Sequence, residues 1–239
     1  MKSGKLIING DDKLLRNIKK ENVTIIKCGI QKNNHLLIHD IQTSLNRTTF
    51  KVKYDNKDYK IIFNVPGSHL VNNVLLAIQV GLEYEVPIES IISSIENYKA
   101  GDKRMYVKTI RRNNVLIEDC YNSSYESLVG VLDLIKNKPL NKIIILGDIL
   151  ELGKYSNKIH RRVGHYLNSI NNKTVLLVGE KMKAIKKNHL HFQNNKELIK
   201  HLKEVDLSNS IILVKGSRGM KLEEITEYLK KNINLIVNM

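Results

Sequence analysis

The second half of the chain alternates between short apolar runs and longer stretches in which apolar residues recur at helical spacing. The runs are rich in Ile, Leu and Val and stop abruptly at small or acidic residues, which is typical of buried parallel strands. Because helical stretches of about 8 to 15 residues separate these runs, right-handed crossovers and a mostly parallel sheet are expected. The pattern predicts strands near 105–110, 113–118, 142–146, 174–178, 189–192, 211–215 and 233–237, and helices near 124–136, 156–170, 180–187, 195–205 and 219–231.

The first half has a different rhythm, with short strands joined by turns and then two helices. A turn at 9–12 leads into a short predicted helix that ends near Lys20, and residues 55–57 suit a hairpin turn. Ser68 is predicted to cap the first of the two helices, and Pro87 stands at the first turn of the second. The strands are predicted at 5–9, 23–28, 48–54 and 58–65, and the helices at 69–81 and 87–95.

A polar, glycine-containing segment at 98–103 separates the two rhythms and is the best linker candidate. With 239 residues, the chain is long enough for two small domains that each bury a core. The sequence therefore predicts two α/β domains, residues 1–100 and residues 101–239.

Charge and composition narrow the class of protein. The formal net charge of +15 suggests nucleic-acid binding, but the basic residues are scattered and form no stripe interleaved with aromatics, so no specific nucleic-acid partner is expected. Anionic small molecules fit the same charge. The two cysteines, Cys28 and Cys120, lack metal-ligand spacing, and no apolar run reaches the roughly 18 to 20 residues of a membrane helix. A reduced, cytoplasmic protein is expected.

Two predicted strands end in carboxylates. Asp119 follows a buried run and could hold ribose hydroxyls or a hydrated cation, or it could tether the turn before the next helix. Asp148 and Glu151 lie between glycines after another strand and could fix an ammonium group or simply order a loop.

The segment 215–219, Lys-Gly-Ser-Arg-Gly, joins a strand to a helix and has the composition of an anion site, although glycine also serves plain turn geometry. His160 and His165 are five residues apart, so they do not share the helix face that two metal ligands need, and we expect surface or interface histidines. No phosphate-binding Gly-x-x-x-x-Gly-Lys-Ser/Thr loop, zinc constellation or dinucleotide fingerprint occurs, so the chain contains no complete active site.

Taken together, these segments resemble the Mur ligases, and among them the members that add D-alanyl-D-alanine to a UDP-muramoyl tripeptide. The segment 146–153, Leu-Gly-Asp-Ile-Leu-Glu-Leu-Gly, and the segment 215–220, Lys-Gly-Ser-Arg-Gly-Met, are specific to those members. Order and spacing agree over essentially the whole chain. The other matching residues are Gly67, Ser68, His69, Asn73, Ala77, Arg104, Met105, Asp119, Cys120, Tyr121, Asn122, Ser127, His160, Val163, Gly164, Lys221, Leu222 and Glu223.

The resemblance implies an ATP- and Mg²⁺-dependent ligase of peptidoglycan precursor synthesis, which activates a carboxylate as an acyl phosphate for attack by an amine. It also implies a Rossmann-like C-terminal domain at 101–239, preceded by the end of a central ATPase domain at 1–100. Asn73, Arg104 and Asp119 are the implied nucleotide contacts. The implied substrate contacts are Asn122, Asp148, Glu151, Lys215, Ser217 and Arg218.

In that family a UDP-substrate domain and the phosphate-binding loop with its Mg²⁺ ligands come earlier in the chain. We therefore expect this chain to be the C-terminal portion of such a ligase, either a truncated gene product or one half of a split enzyme that is inactive alone. The expected partners are UDP-MurNAc-tripeptide, D-alanyl-D-alanine and a separate N-terminal half, with this chain monomeric. The alternative is a non-catalytic binding module that kept the fold and lost the reaction.

Overall fold

A computed structural model describes residues 4–101, 103–110, 113–185 and 189–235, and side chains up to residue 232. The chain divides into two compact units, residues 1–99 and 100–239. Within the described residues, no helix is long and apolar enough to cross a membrane.

The first unit is a five-stranded sheet with two helices. Its strands follow one another in the order β1-β2-β3-β4-β5, with β1 and β3 parallel to β2 and the last two pairs antiparallel. The core includes Phe50 and Ile61 from the sheet and Leu75 and Ile78 from a helix, all fully buried. The elements are β1 (Gly4–Asn9), β2 (Val23–Gly29), β3 (Leu36–Thr43), β4 (Thr48–Tyr54), β5 (Lys57–Phe63), α1 (Val71–Glu83) and α2 (Ile88–Glu96).

The two edges of this sheet differ. The backbone N–H of Gly4 in β1 donates to the oxygen of Asn22, and that of Gly10, just after β1, donates to the oxygen of Cys28 in β2. The alternate residues Lys5 and Ile7 therefore turn their backbone groups to the open side. Leu6 of β1 is 36% exposed. The opposite edge strand, β5, carries exposed charges, which discourage edge-to-edge pairing. These are Lys57, Asp58 and Lys60.

The structure differs from the sequence predictions at three places in this unit. Strand β3 is not predicted by the sequence pattern. The segment up to Lys20 forms turns instead of a helix, because the Asp12 carboxylate accepts hydrogen bonds from the backbone N–H groups of Leu14 and Leu15, at 2.8 and 3.0 Å. Ser68 caps nothing; it lies in a 3-10 turn before α1, which has no side-chain cap. The hairpin turn is confirmed, with Asp55 and Asn56 at φ of 48° and 58°.

The second unit is a six-stranded sheet in the order β10-β9-β8-β11-β7-β6, in which only β6 runs antiparallel to its neighbour. The predicted α/β class with a mostly parallel sheet is therefore confirmed. Leu198 of α5 and Ile225 of α6 pack in one buried cluster with Ile143, Ile145 and Ile212 from the sheet. The elements are β6 (Tyr106–Ile110), β7 (Asn114–Asp119), α3 (Tyr125–Lys136), β8 (Asn141–Gly147), α4 (Ser156–Leu167), β9 (Lys173–Val178), β10 (Leu190–Phe192), α5 (Asn195–Leu202), β11 (Ser210–Lys215) and α6 (Glu223–Leu235).

Three predicted elements of this unit differ from the structure. Residues 233–235 belong to α6 and not to a strand, while 236–239 lie outside the described residues. The predicted helix at 180–187 is only a 3-10 turn over Lys181–Ala184, since Ile185 is already extended; residues 186–188 lie outside the described part. The helix expected from 219 begins at Glu223, after a 3-10 turn over Arg218–Met220.

Candidate functional site

The carboxyl ends of the parallel strands of the second unit meet along one edge of its sheet. In the strand register, Lys215 of β11 is opposite Asp119 of β7 on one side and Leu146 of β8 on the other. Loops that follow neighbouring parallel strands emerge on the same side, where open α/β sheets bind ligands. Eight of the nine predicted contact residues belong to this unit.

Asp119 and Lys215 form a buried ion pair at this edge. Lys215 Nζ lies 2.5 Å from Asp119 Oδ2, with the two side chains 1% and 11% exposed. Lys215 Nζ also donates to the backbone oxygen of Asn122 at 3.2 Å, and the N–H of Met105 donates to Asp119 Oδ1 at 3.2 Å. Asp119 therefore holds the turn before β6 and neutralises Lys215, and it is Lys215 that contacts the backbone of the turn before α3.

Asp148 is also committed to holding the backbone. Its two carboxylate oxygens accept from the N–H groups of Met182 and Lys181, at 2.9 and 3.1 Å. Gly179 allows this approach, since a Cβ there would come within 2.6 Å of the Asp148 carboxyl carbon. The next predicted residue, Glu151, is exposed, and its backbone is left-handed with φ 64°.

Ser217 joins the loop after β11 to the loop after β8. Its hydroxyl oxygen accepts from the N–H of Leu150 at 2.9 Å, and its own N–H donates to the backbone oxygen of Asp148 at 3.1 Å. Gly216 makes the close approach possible, because a Cβ there would lie 3.0 Å from the Cα of Gly147. The two segments that carry the resemblance are thus in direct contact.

Arg218 is 54% exposed and tethered to a residue that the sequence did not single out as a contact. Its Nη1 donates to Glu223 Oε1 at 2.7 Å, and Lys103 Nζ donates to the same oxygen at 3.2 Å. Burial acts to raise the pKa of Glu223, but its own backbone N–H, Lys103 and Arg218 outweigh burial, so the pKa is lowered. The sequence does offer a hint of this role, because Glu223 is the last residue of the segment that matches the family, and it is the first residue of α6.

Arg104 lies over an aromatic ring. Its guanidinium carbon is 4.0 Å from the centre of the Tyr121 ring, a cation–π contact in which both side chains stay exposed. Asn122, beside Tyr121, is exposed, and its side-chain oxygen accepts from the N–H of Ser123 at 2.7 Å. The sequence singles out Tyr121 only through the resemblance, because no spacing rule predicts its contact with Arg104.

The remaining predicted contact, Asn73, lies on the exposed side of α1 in the first unit. Asn73 is described only within its own unit.

His160 corrects the prediction of surface or interface histidines. It is fully buried, its Nε2 accepts from the N–H of Ile149 at 3.2 Å, and its Nδ1 lies 2.8 Å from the backbone oxygen of Ser156. His160 therefore fixes the backbone of the loop after β8 at Ile149. His165 is exposed, as expected. No group of three or more His, Cys, Asp or Glu side chains within the described ranges is arranged to hold a metal ion.

Two exposed arginines, Arg104 and Arg218, lie at this edge. The buried Asp119 and Lys215 are paired with each other, and the buried Asp148 accepts backbone N–H groups. Guanidinium groups bind carboxylates and phosphates through two parallel hydrogen bonds, so the geometry suits a small anionic ligand.

Comparisons with known proteins converge on one family. The Mur ligase middle domain matches residues 1–81, and the "Mur ligase, glutamate ligase domain" matches residues 103–218. The UDP-N-acetylmuramoyl-tripeptide–D-alanyl-D-alanine ligase of Buchnera aphidicola subsp. Baizongia pistaciae is 31% identical over 96% of this chain and 52% of its own length. The same ligase of Escherichia coli is 26% identical, over 84% of this chain and 45% of the relative. The chain thus spans about half the length of these curated relatives.

Solved structures agree on the fold. A MurF ligase from Thermotoga maritima in complex with ADP superposes with a TM-score of 0.85 at 17% identity, covering 99% of this chain and 55% of that one. MurF from Acinetobacter baumannii gives a TM-score of 0.87 at 20% identity, covering 97% and 52%.

Proposed function

Because the chain belongs to the Mur ligase family, we propose that it supplies the dipeptide-facing half of a ligase that adds D-alanyl-D-alanine to a UDP-MurNAc-tripeptide. The observation that carries the proposal is the contact between the two family-specific segments: Ser217 bonds to the backbone of the loop with Asp148 and Leu150, beside the exposed Arg218. In such a ligase, bound ATP supplies the phosphoryl group that activates the tripeptide carboxylate, and Mg²⁺ neutralises the transferring charge.

The role assigned to this edge is to bind and orient the dipeptide. Arg218 is the exposed partner for its carboxylate, since a guanidinium can donate two hydrogen bonds to it. Glu151 is the better candidate for the ammonium group, because it is exposed, whereas both oxygens of Asp148 already accept backbone N–H groups. Ser217 and Asp148 set the position of the loops, with Asn122 and Lys215 beside them.

The nucleotide side is assigned to Arg104, Asp119 and Asn73. Arg104 is exposed and cationic, which suits a phosphate group. Asp119 is bonded to Lys215 and to the backbone of Met105, so its proposed role is to hold the residues around the nucleotide in position. Asn73 is exposed on α1 and free to meet a base.

The other parts of the reaction are assigned elsewhere. Residues 1–100 are interpreted as the last part of the central domain and residues 101–239 as the C-terminal domain. Because the resemblance implies that the Mg²⁺ ligands and the phosphate-binding loop come earlier in such a ligase, they are assigned to other polypeptide, which would also bind the UDP-substrate. A protein with this function would act in the cytoplasm.

The test is calorimetric titration of the whole chain with D-alanyl-D-alanine and with ADP, alone and with a purified N-terminal half of the Buchnera ligase. Binding of the dipeptide that weakens at least tenfold in Arg218→Ala supports the assignment. Arg161→Ala, an exposed arginine on α4, is the matched control and should bind as the unaltered chain does. No heat with either ligand in either mixture would reject the proposal and favour a non-catalytic module.

A further inference from the structure

We propose that Glu223 is a positioning residue that holds Arg218 and Lys103 in place for ligand binding. The inference rests on the function proposed above and adds a residue to it. One carboxylate oxygen, Glu223 Oε1, accepts from Arg218 Nη1 at 2.7 Å and from Lys103 Nζ at 3.2 Å. The Glu223 side chain is 17% exposed, so it lies beneath the two cations and leaves the outer surface to them.

The two cations come from the two sides of the site. Lys103 precedes Arg104 on the nucleotide side, and its backbone oxygen accepts from the N–H groups of Cys120 and Tyr121, at 3.0 and 3.1 Å. Arg218 follows Ser217 on the dipeptide side. Lys103 and Glu223 are 120 positions apart, so Glu223 joins segments that are remote in sequence.

The backbone around Arg218 has other supports, so loss of Glu223 should not unfold the loop. Asn195, which is buried, donates from its side-chain nitrogen to the backbone oxygens of Met220 and Lys221, at 3.0 and 3.1 Å. On the other side, Ser217 bonds to the loop after β8. Glu223 is therefore the group that restrains the Arg218 side chain itself, within the described residues.

Restraining an arginine before the ligand arrives improves binding, because less rotational freedom is lost on association. An immobilised long side chain accounts for roughly a two- to twelvefold change in affinity, which corresponds to about 0.5–1.5 kcal/mol. An ordinary acid in the first turn of a helix would instead act on stability alone, through the helix dipole. Glu227, exposed one turn further along α6, is the control for general effects of removing a negative charge.

The experiment is a double-mutant cycle on D-alanyl-D-alanine binding to the whole chain, measured by calorimetry. Glu223→Ala should weaken binding roughly two- to twelvefold, Glu223→Gln should recover part of the loss because its oxygen still accepts, and Glu227→Ala should have no effect. In the Arg218→Ala background, Glu223→Ala should cause no further loss of dipeptide binding, since Lys103 lies on the nucleotide side and the effect on the dipeptide passes through Arg218. Thermal unfolding of each variant checks that it is folded.

The outcomes separate the two proposals. If the unaltered chain does not bind the dipeptide, the proposed function fails. If it binds and Glu223→Ala binds equally well, or if the loss is as large without Arg218, the positioning role is wrong. A second measurement needs no ligand. NMR relaxation of the side-chain ¹⁵N signals of Arg218 should show greater mobility in Glu223→Ala than in Glu227→Ala. Equal mobility in the two variants would show that Glu223 does not restrain Arg218.

Discussion

The buried pair of Asp119 and Lys215 makes the sharpest prediction for a single residue. Replacing Lys215 with Met leaves the Asp119 carboxylate, 11% exposed, without its cation. Leaving one partner of a buried pair unpaired costs about 3–5 kcal/mol, whereas removing both charges is far milder. Lys215→Met should therefore lower the free energy of unfolding in urea by that amount, and the double variant Asp119→Asn/Lys215→Met should recover part of it. A double variant as unstable as the single one would show that the pair is not coupled.

The two cysteines should be inert in the folded chain. Burial, with the nearby charge of Glu118, raises the pKa of Cys120 to about 12, and burial with Glu83 raises the pKa of Cys28 to about 11. A thiol ionises when the pH exceeds its pKa, so at pH 8 the reactive thiolate is scarce, and both side chains are buried. Neither should react with a thiol reagent within minutes, whereas both should react in denaturant. Rapid labelling of either in the native protein would contradict this.

At the scale of single residues, the sequence predicted the polar residues at strand ends but not the contacts of Lys103 and Arg218 with Glu223. Asp119 and Lys215 were found because each follows an apolar run. Lys103 and Glu223 were missed as contacts because they meet across 120 positions, and no local pattern encodes that meeting. The sequence also did not predict the burial of His160, which lies on the buried face of α4 with Val163 and Leu167.

The start of α3 gives the clearest prediction for an element. The Ser124 hydroxyl accepts from the N–H of Ser127, and the Ser127 hydroxyl accepts from the N–H of Ser124, which forms a capping box. Ser124→Ala should destabilise the chain by about 1 kcal/mol, measured by chemical denaturation. Ser94→Ala in the interior of α2 is the control and should be neutral or slightly stabilising, because alanine favours helix. Equal effects at both positions would contradict a capping role.

The missed and misassigned elements have local causes. Strand β3 escaped prediction because its alternation breaks where its register with β4 shifts between His39 and Gln42, and Asp40 there has φ 54°. The sequence predicts a strand at the last apolar run, 233–237, although a short run of this kind fits either structure; the residues described there continue α6. Strands such as β8 and β11 were predicted well because they are buried along their length.

For the whole molecule, the order of the motifs was more informative than composition. The predicted resemblance to the Mur ligases is confirmed by two family domains and by relatives that align over most of the chain. The net charge of +15 pointed only to anions in general. The chain spans 52% of its Buchnera relative. No pattern within the chain can therefore predict how the site would meet the other parts of such a ligase.

The β1 edge of the first sheet has a practical consequence for handling the protein. The charged side chain of β1, Lys5, is paired with Glu83, and Leu6 is 36% exposed, so this edge is a template on which a strand of a second molecule can pair. Repulsion between highly cationic molecules opposes such pairing, so clouding should appear as salt is added and should grow with concentration. Leu6→Lys should keep the solution clear in light-scattering measurements, whereas Leu190→Lys, on the three-residue strand β10, should change little. Turbidity that is the same in both variants would direct attention to another surface.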